Sequence, residues 1–290
     1  MTTNLVGLTS DLTGYVANTE GFINLSDIKY EVGAVADAIR ESFFRPWESE
    51  TPALDATGTG IRYDVGEGYS SIYDIPWLTL TAGDVVNIHY SELSEFYAIK
   101  LLISSEGTAE NPIIINGVCR FGKAPRITGE NALPSNDAVL DSFDVYEQYV
   151  ETNGLVTLWR DSTKEYTDKV KHVIFQNIAF EKCTPDYTFT ALDGSIKEFS
   201  HAGSGIYTPT ADYITIRNCK FDTIGNGIFC NSTGWTQSTA AEPGLQGVSL
   251  GWKIKGSYFT NCGIADSDRQ HTIYVSGEDM LIENSYFGPL

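Results

Sequence analysis

Four stretches decide the fold: FQNIAF at 175–180, IRNCKF at 216–221, IKGSYF at 254–259 and IENSYF at 282–287. Each reads apolar-x-Asn-x-x-Phe. The Asn position holds Asn177, Asn218, Gly256 and Asn284, and the closing aromatics are Phe180, Phe221, Phe259 and Phe287. The closing residues are 41, 38 and 28 residues apart. A second short β-type run recurs between them: SGIYT at 204–208, NGIFC at 226–230 and HTIYV at 271–275. From each Phe to the Ile of the next such run the distance is 26, 7 and 14 residues. One layout is therefore repeated, with loops of different size inserted at a single corner. Stacking such units buries a continuous column of Ile and Phe. The polar Asn then sits at a turn, where amide stacked on amide can satisfy turn backbone groups. Ile facing in and Thr or Arg facing out fits the two-residue strand period. A β-sandwich competes, but it leaves the in-register recurrence of Asn-x-x-Phe unexplained.

Upstream the character changes. Residues 1–75 hold one plausible helix, Val35 to Phe44, with Val35, Ile39 and Phe43 on one apolar face and Pro46 as its stop. Glu48 to Tyr69, rich in Thr, Gly, Ser and Asp, reads as loop. From Trp77 onward short β-type runs alternate with turns, and no further helix is expected. The predicted architecture is all-β: a single-stranded parallel β-helix, a solenoid, over 76–290. A capping or attachment region over 1–75 contributes the helix that covers one end of the apolar column. The stretch SYFGPL supplies no cap, so the natural solenoid is expected to continue beyond it.

Composition narrows the function. The chain has 290 residues, 42% of them hydrophobic, and a formal charge of −19. Such a field repels nucleic acid and anionic membrane, so neither is an expected partner. It suits solubility or a Ca²⁺-rich setting. No apolar run approaches the ~20 residues that span a bilayer. The start, MTTNLVGLTSDLTG, lacks the basic and apolar regions of a signal peptide. Synthesis in the cytoplasm followed by display on a virion or extracellular surface fits both points. The five cysteines, Cys119, Cys183, Cys219, Cys230 and Cys262, are odd in number and contain no C-x-x-C, which argues for reduced, buried thiols and no disulfide. Cys183 and Cys262 occupy equivalent positions two repeats apart, about 10 Å at ~4.8 Å per strand spacing, too far for a bridge.

A family resemblance enters through further stretches. Ala82 to Ile88, Gly107 to Ile113 and Pro125 to Gly129 look like the opening coils of β-helix polysaccharide lyases and their relatives. Ile214 to Cys219, Gly225 to Phe229 and Phe287 to Leu290 are similar to uncharacterised bacterial and phage β-helix repeat proteins. The chain from about residue 72 thus resembles the right-handed parallel β-helix, pectate-lyase-like superfamily. The resemblance implies that fold in its right-handed form. It leaves activity open, because the superfamily spans lyases, hydrolases, epimerases and non-catalytic phage tail proteins. One departure is at Gln270, where relatives often carry an acid directly before the His of this coil.

Stacking places chemistry in register. Glu181 and Asp222, each following a closing Phe, become neighbours on adjacent strands. Two carboxylates about 5 Å apart suit a retaining glycosidase or a shared Ca²⁺; the plain alternative is two solvated acids beside a turn. The corner loop 263–271 carries Asp266, Asp268, Arg269 and His271, with Asp266 and Asp268 the candidate Ca²⁺ ligands. In register His271 lies over Asn226 and Ser204, with His201 nearby. A lyase must neutralise a uronate carboxylate and abstract a proton, roles that Arg269, His271 and Tyr274 can fill; otherwise the loop is a polar surface. Trp235 and Tyr187 lie in insertions, where each ring either stacks on a sugar or anchors its loop. The reading is a polysaccharide-binding protein, degrading its glycan as a lyase or hydrolase if it is an enzyme, in the manner of a tailspike, with a homotrimer as one expected assembly. The alternative is a non-catalytic structural or receptor-binding β-helix protein.

Overall fold

The computed structural model describes residues 56–92, 96–120, 123–140, 151–159, 168–232, 247–264 and 270–288. The chain divides into two units, Met1–Glu50 and Thr51–Leu290, and every described residue belongs to the second. The helix expected over 35–44 lies outside the described residues.

The protein is all-β, and its strands pair mostly in parallel. The first sheet has seven strands in the order β1 (Arg62–Val65), β2 (Val85–His89), β4 (Ile113–Val118), β9 (Val173–Gln176), β15 (Thr215–Arg217), β19 (Lys253–Lys255) and β23 (Leu281–Glu283). The second has five: β5 (Arg126–Thr128), β10 (Ala179–Cys183), β16 (Lys220–Ile224), β20 (Tyr258–Cys262) and β24 (Tyr286–Phe287). The third runs β6 (Leu133–Pro134), β3 (Ile99–Ile103), β7 (Gly154–Leu158), β13 (Ser204–Thr208), β17 (Asn226–Cys230) and β21 (Ile273–Val275). From β9 onward the chain visits the first, second and third sheets in turn. Short parallel ladders, β8 (Val170–Lys171) with β14 (Ala211–Asp212) and β18 (Ser249–Leu250) with β22 (Gly277–Glu278), sit just ahead of the first-sheet strands. An antiparallel hairpin, β11 (Thr188–Thr190) with β12 (Ile196–Glu198), fills the insertion between β10 and β13.

The repeat read from sequence sets the register. Phe180 pairs with Phe221, Phe221 with Phe259 and Phe259 with Phe287. Their rings stack with centroids 5.2, 4.7 and 5.2 Å apart. The first three are fully buried, whereas Phe287 is 46% exposed. A matching column, Val86, Ile115, Phe175, Ile216 and Ile254, runs through the first sheet, and Ile206 pairs with Ile228 in the third. Gly205 and Gly227 leave room for the Phe column: a Cβ on Gly227 would lie 2.6 Å from the Phe259 ring. Cys183 aligns with Ile224 and Ile224 with Cys262, and all five cysteines are free.

The turns repeat as strictly as the strands. Asn177, Asn218, Gly256 and Asn284 hold φ of 59°, 50°, 53° and 51°. This is the left-handed region, which Gly and Asn tolerate and other residues enter at a cost. The Asn218 Nδ2 donates to Asn177 Oδ1 at 2.7 Å, and Asn177 Nδ2 to Asn116 Oδ1 at 3.2 Å. The expected amide ladder therefore exists, and it extends through Asn116 Nδ2 to Asn87 Oδ1 at 2.9 Å. A second left-handed corner follows Phe180, Phe221 and Phe259 by two residues, at Lys182, Thr223 and Asn261.

Three expectations change. The stretch Glu48 to Tyr69 is not all loop, because β1 lies within it and pairs with β2 residue for residue, from Arg62 with Val85 to Val65 with Ile88. The parallel sheet thus starts ahead of residue 76. Its signal was hidden because Arg62, Tyr63 and Asp64 break the apolar run. A short helix, α1 (Asn136–Leu140), also forms where none was expected. Asp137 ties it down, accepting from Leu78 N–H at 2.8 Å and Ser135 Oγ at 2.6 Å.

Candidate functional site

The third sheet presents the most coherent outward feature. Along β13, β17 and β21 Ile206, Ile228 and Ile273 pack in or against the core, and the residue after each forms the register row Tyr207–Phe229–Tyr274. The rings stack at 5.4 and 4.8 Å. Tyr207 is buried, Phe229 half-buried and Tyr274 40% exposed, so the row ends in an open aromatic face. The His271 ring lies 5.8 Å from that of Tyr274.

The corner before these strands is built as the register predicted. The His271 N–H donates to Asn226 Oδ1 at 2.8 Å, placing His271 over Asn226. Asn226 Nδ2 in turn donates to the Ala202 carbonyl at 3.3 Å. Gln270 donates Nε2 to the His201 carbonyl at 2.7 Å. Its Oε1 is buried with no hydrogen-bond partner among the described residues. The Gln270 and Asn226 side chains therefore bridge the His201–Ala202 backbone to the corner at residues 270–271, with His201 and His271 both exposed. Arg269, Asp266, Asp268 and Trp235 lie outside the described residues. Tyr187 is partly buried against the core, under Lys182 at 5.7 Å, which is the position of a loop anchor.

Glu181 and Asp222 do stand on paired positions of β10 and β16. Each, however, has its own cation. Arg126 grips Glu181 bidentately, Nε to Oε1 at 2.7 Å and Nη2 to Oε2 at 2.9 Å. Lys220 Nζ lies 2.9 Å from Asp222 Oδ2, while Asn261 Nδ2 and Thr223 Oγ1 both donate to Oδ1, at 2.9 and 3.0 Å. Burial pushes the Asp222 carboxyl up, but the Asn261 amide, the Lys220 ammonium and the Thr223 hydroxyl outweigh it and hold the group below the usual carboxylate range. A retaining glycosidase needs one carboxyl raised so that it can donate a proton near neutrality. Asp222 is shifted the other way. Among the described residues no group of three His, Cys, Asp or Glu side chains could hold a metal ion.

A second cluster escaped the sequence reading. Arg62, Asp64 and His89 converge on the outer side of β1 and β2: Arg62 Nε to Asp64 Oδ2 at 3.0 Å, and His89 Nε2 to Asp64 Oδ1 at 2.9 Å. Asp64 is held below its ordinary range, first by the Arg62 hydrogen bond and, against burial, also by His89. The Tyr69 ring stacks on His89 at 4.3 Å, beside a cavity of about 470 Å³. The signal is weak because β1 lies in a stretch whose composition is that of a loop. Arg62 and Asp64 alternate about Tyr63 with the spacing of a strand, and that was the legible clue.

Among the described residues no helix is long and apolar enough to cross a membrane. The fold and this surface define a class, an all-β protein of stacked parallel sheets with an outward aromatic row. Comparison with protein-family models, with curated proteins and with solved structures found no match for this chain.

Proposed function

We propose that the three parallel sheets form the walls of a right-handed parallel β-helix whose third-sheet face binds a glycan. The observation that carries this reading is the row Tyr207–Phe229–Tyr274, open at Tyr274 and flanked by His271. An exposed aromatic face stacks on the apolar face of a sugar ring, and an adjacent imidazole can bond its hydroxyls. Display on a virion or cell surface, as in a tailspike, fits this use.

Binding is favoured over hydrolysis by the Glu181–Asp222 pair. Both carboxylates are neutralised by neighbouring cations, and Asp222 is held ionised. If the protein also cleaves its glycan, the corner with His271, Arg269 and His201 is the proposed centre. Ca²⁺ at Asp266 and Asp268 would belong to the same corner, and loss of binding on chelation would test it.

The experiment is titration against a panel of neutral and acidic polysaccharides, with reducing-end and unsaturated-sugar assays on the same panel. Tyr274→Ala is expected to weaken binding about tenfold or more with little effect on stability. If turnover is found, His271→Ala should lower it by a factor of about 10². Binding that Tyr274→Ala leaves unchanged would remove this face from consideration.

A further inference from the structure

We propose that the cavity beside His89 is a second ligand site, one that takes a single neutral pyranose ring, separate from the third-sheet row. It is lined by Glu67, Tyr69, His89, Tyr90, Cys119 and Arg120, with Gly68 and Val118 completing the wall. Its volume, about 470 Å³, falls in the roughly 300–1,000 Å³ range of small-molecule sites.

The site is organised in advance. Arg62 and Asp64 are locked together, and Asp64 fixes the His89 ring through Nε2. The contact with the carboxylate sets the orientation of the His89 ring. Tyr97 adds a brace, its hydroxyl donating to the His89 carbonyl. Burial, helped by the charge of Glu67, pushes that phenol up to about 12, so it stays a donor at any ordinary pH. Gly66 is required beneath it: its φ is 126°, and a Cβ there would lie 2.5 Å from the Tyr97 hydroxyl.

The lining selects the ligand class. Tyr69 has one face against His89, yet remains 55% exposed, which leaves a flat apolar platform for the ligand. Glu67 supplies a carboxylate and Arg120 a guanidinium to the same cavity. A hydroxyl, which both donates and accepts, suits a wall carrying both signs. An anion would meet Glu67 and the overall charge of −19, and a cation would meet Arg120. A neutral ring with vicinal hydroxyls and an apolar face satisfies all of these together.

Cys119 provides the readout. It is half-buried in the cavity wall, whereas burial pushes the Cys183, Cys219, Cys230 and Cys262 thiols up to about 12 and leaves them inert. A thiol reagent followed by mass spectrometry therefore reports on Cys119. The probes are the methyl pyranosides of glucose, galactose, mannose and N-acetylglucosamine at millimolar concentration, with methyl glucuronide and inorganic phosphate alongside. At least one neutral glycoside should slow Cys119 modification saturably. Tyr69→Ala, at an exposed position, should raise the half-protecting concentration at least tenfold, and Glu67→Gln should raise it severalfold. Tyr274→Ala should leave it unchanged, which separates this site from the third-sheet face. Absence of protection by every neutral glycoside would overturn the proposal. So would protection by phosphate or glucuronide alone, or protection that survives both Tyr69→Ala and Glu67→Gln.

Discussion

Between Val173 and Phe287 the chain returns to the same three sheets with the same turn residues, whereas between Arg62 and Leu158 it reaches those sheets without the Asn-x-x-Phe repeat. In the later region each left-handed turn sits over the last, each closing Phe over the last Phe, and polar groups are satisfied by ladders. In the earlier region the ladder continues through Asn116 and Asn87, but beside it a buried charge is held by single contacts. Lys100 is only 6% exposed, yet its Nζ donates to the Glu151 and Gly154 carbonyls at 2.6 and 2.7 Å and lies 3.9 Å from the Phe189 ring centroid. Glu151 in turn accepts from Leu192 N–H at 2.6 Å and pairs with Lys197 at 3.2 Å, clamping the inserted hairpin. Repetition distributes stability over equivalent contacts. The cavity beside His89 lies in the region that repeats least.

The largest effect that tests this contrast is in the column. Phe221→Ala, in the middle of a fully buried stack, should cost about 3–5 kcal/mol in denaturant unfolding through the cavity it leaves. A loss below about 1 kcal/mol would mean the column is not close-packed.

A smaller effect is expected at a corner. Asn218→Ala should cost about 1–3 kcal/mol, because Ala tolerates φ of 50° poorly and the bond to Asn177 is lost. Asn218→Gly keeps the backbone freedom and should recover much of that loss. If Gly and Ala are equally damaging, the amide ladder, not the backbone, is what the corner requires.

The smallest effect belongs to the irregular region and has an unusual sign. Burial lowers the Lys100 ammonium from 10.5 to about 8, with Cys183 and Glu151 opposing this and Lys197 adding to it. A base whose folded-state value is depressed binds fewer protons in the native state than in the unfolded chain between about pH 8 and 10.5. Its contribution to stability therefore rises with pH across that window. The buried thiols, raised from 9.0 to about 12, act oppositely above pH 9. Subtracting the pH profile of Lys100→Met cancels the thiols of Cys219, Cys230 and Cys262, though not that of Cys183, which interacts with Lys100. Wild type should then gain on the order of 1 kcal/mol relative to the variant between pH 8 and 9. Parallel profiles would show that Lys100 does not titrate in that range.

The sequence by itself determined the repeating half. The Asn-x-x-Phe spacing predicted which Phe stacks on which, the Asn ladder and the equivalence of Cys183 and Cys262, because in a stacked architecture one period sets every lateral neighbour. It also carried His271 to its place over Asn226 and brought Glu181 beside Asp222. Only the tertiary structure decided what those neighbours do. Arg126 and Asn261, distant in sequence, turn the two carboxylates into ion-paired and hydrogen-bonded groups, and the register period says nothing of side chains that reach across it. The Asp64–His89–Tyr69 cluster was illegible for a related reason. Its members come from one strand with no apolar signature, one regular strand and one loop, and they meet through a single non-repeating approach of the chain.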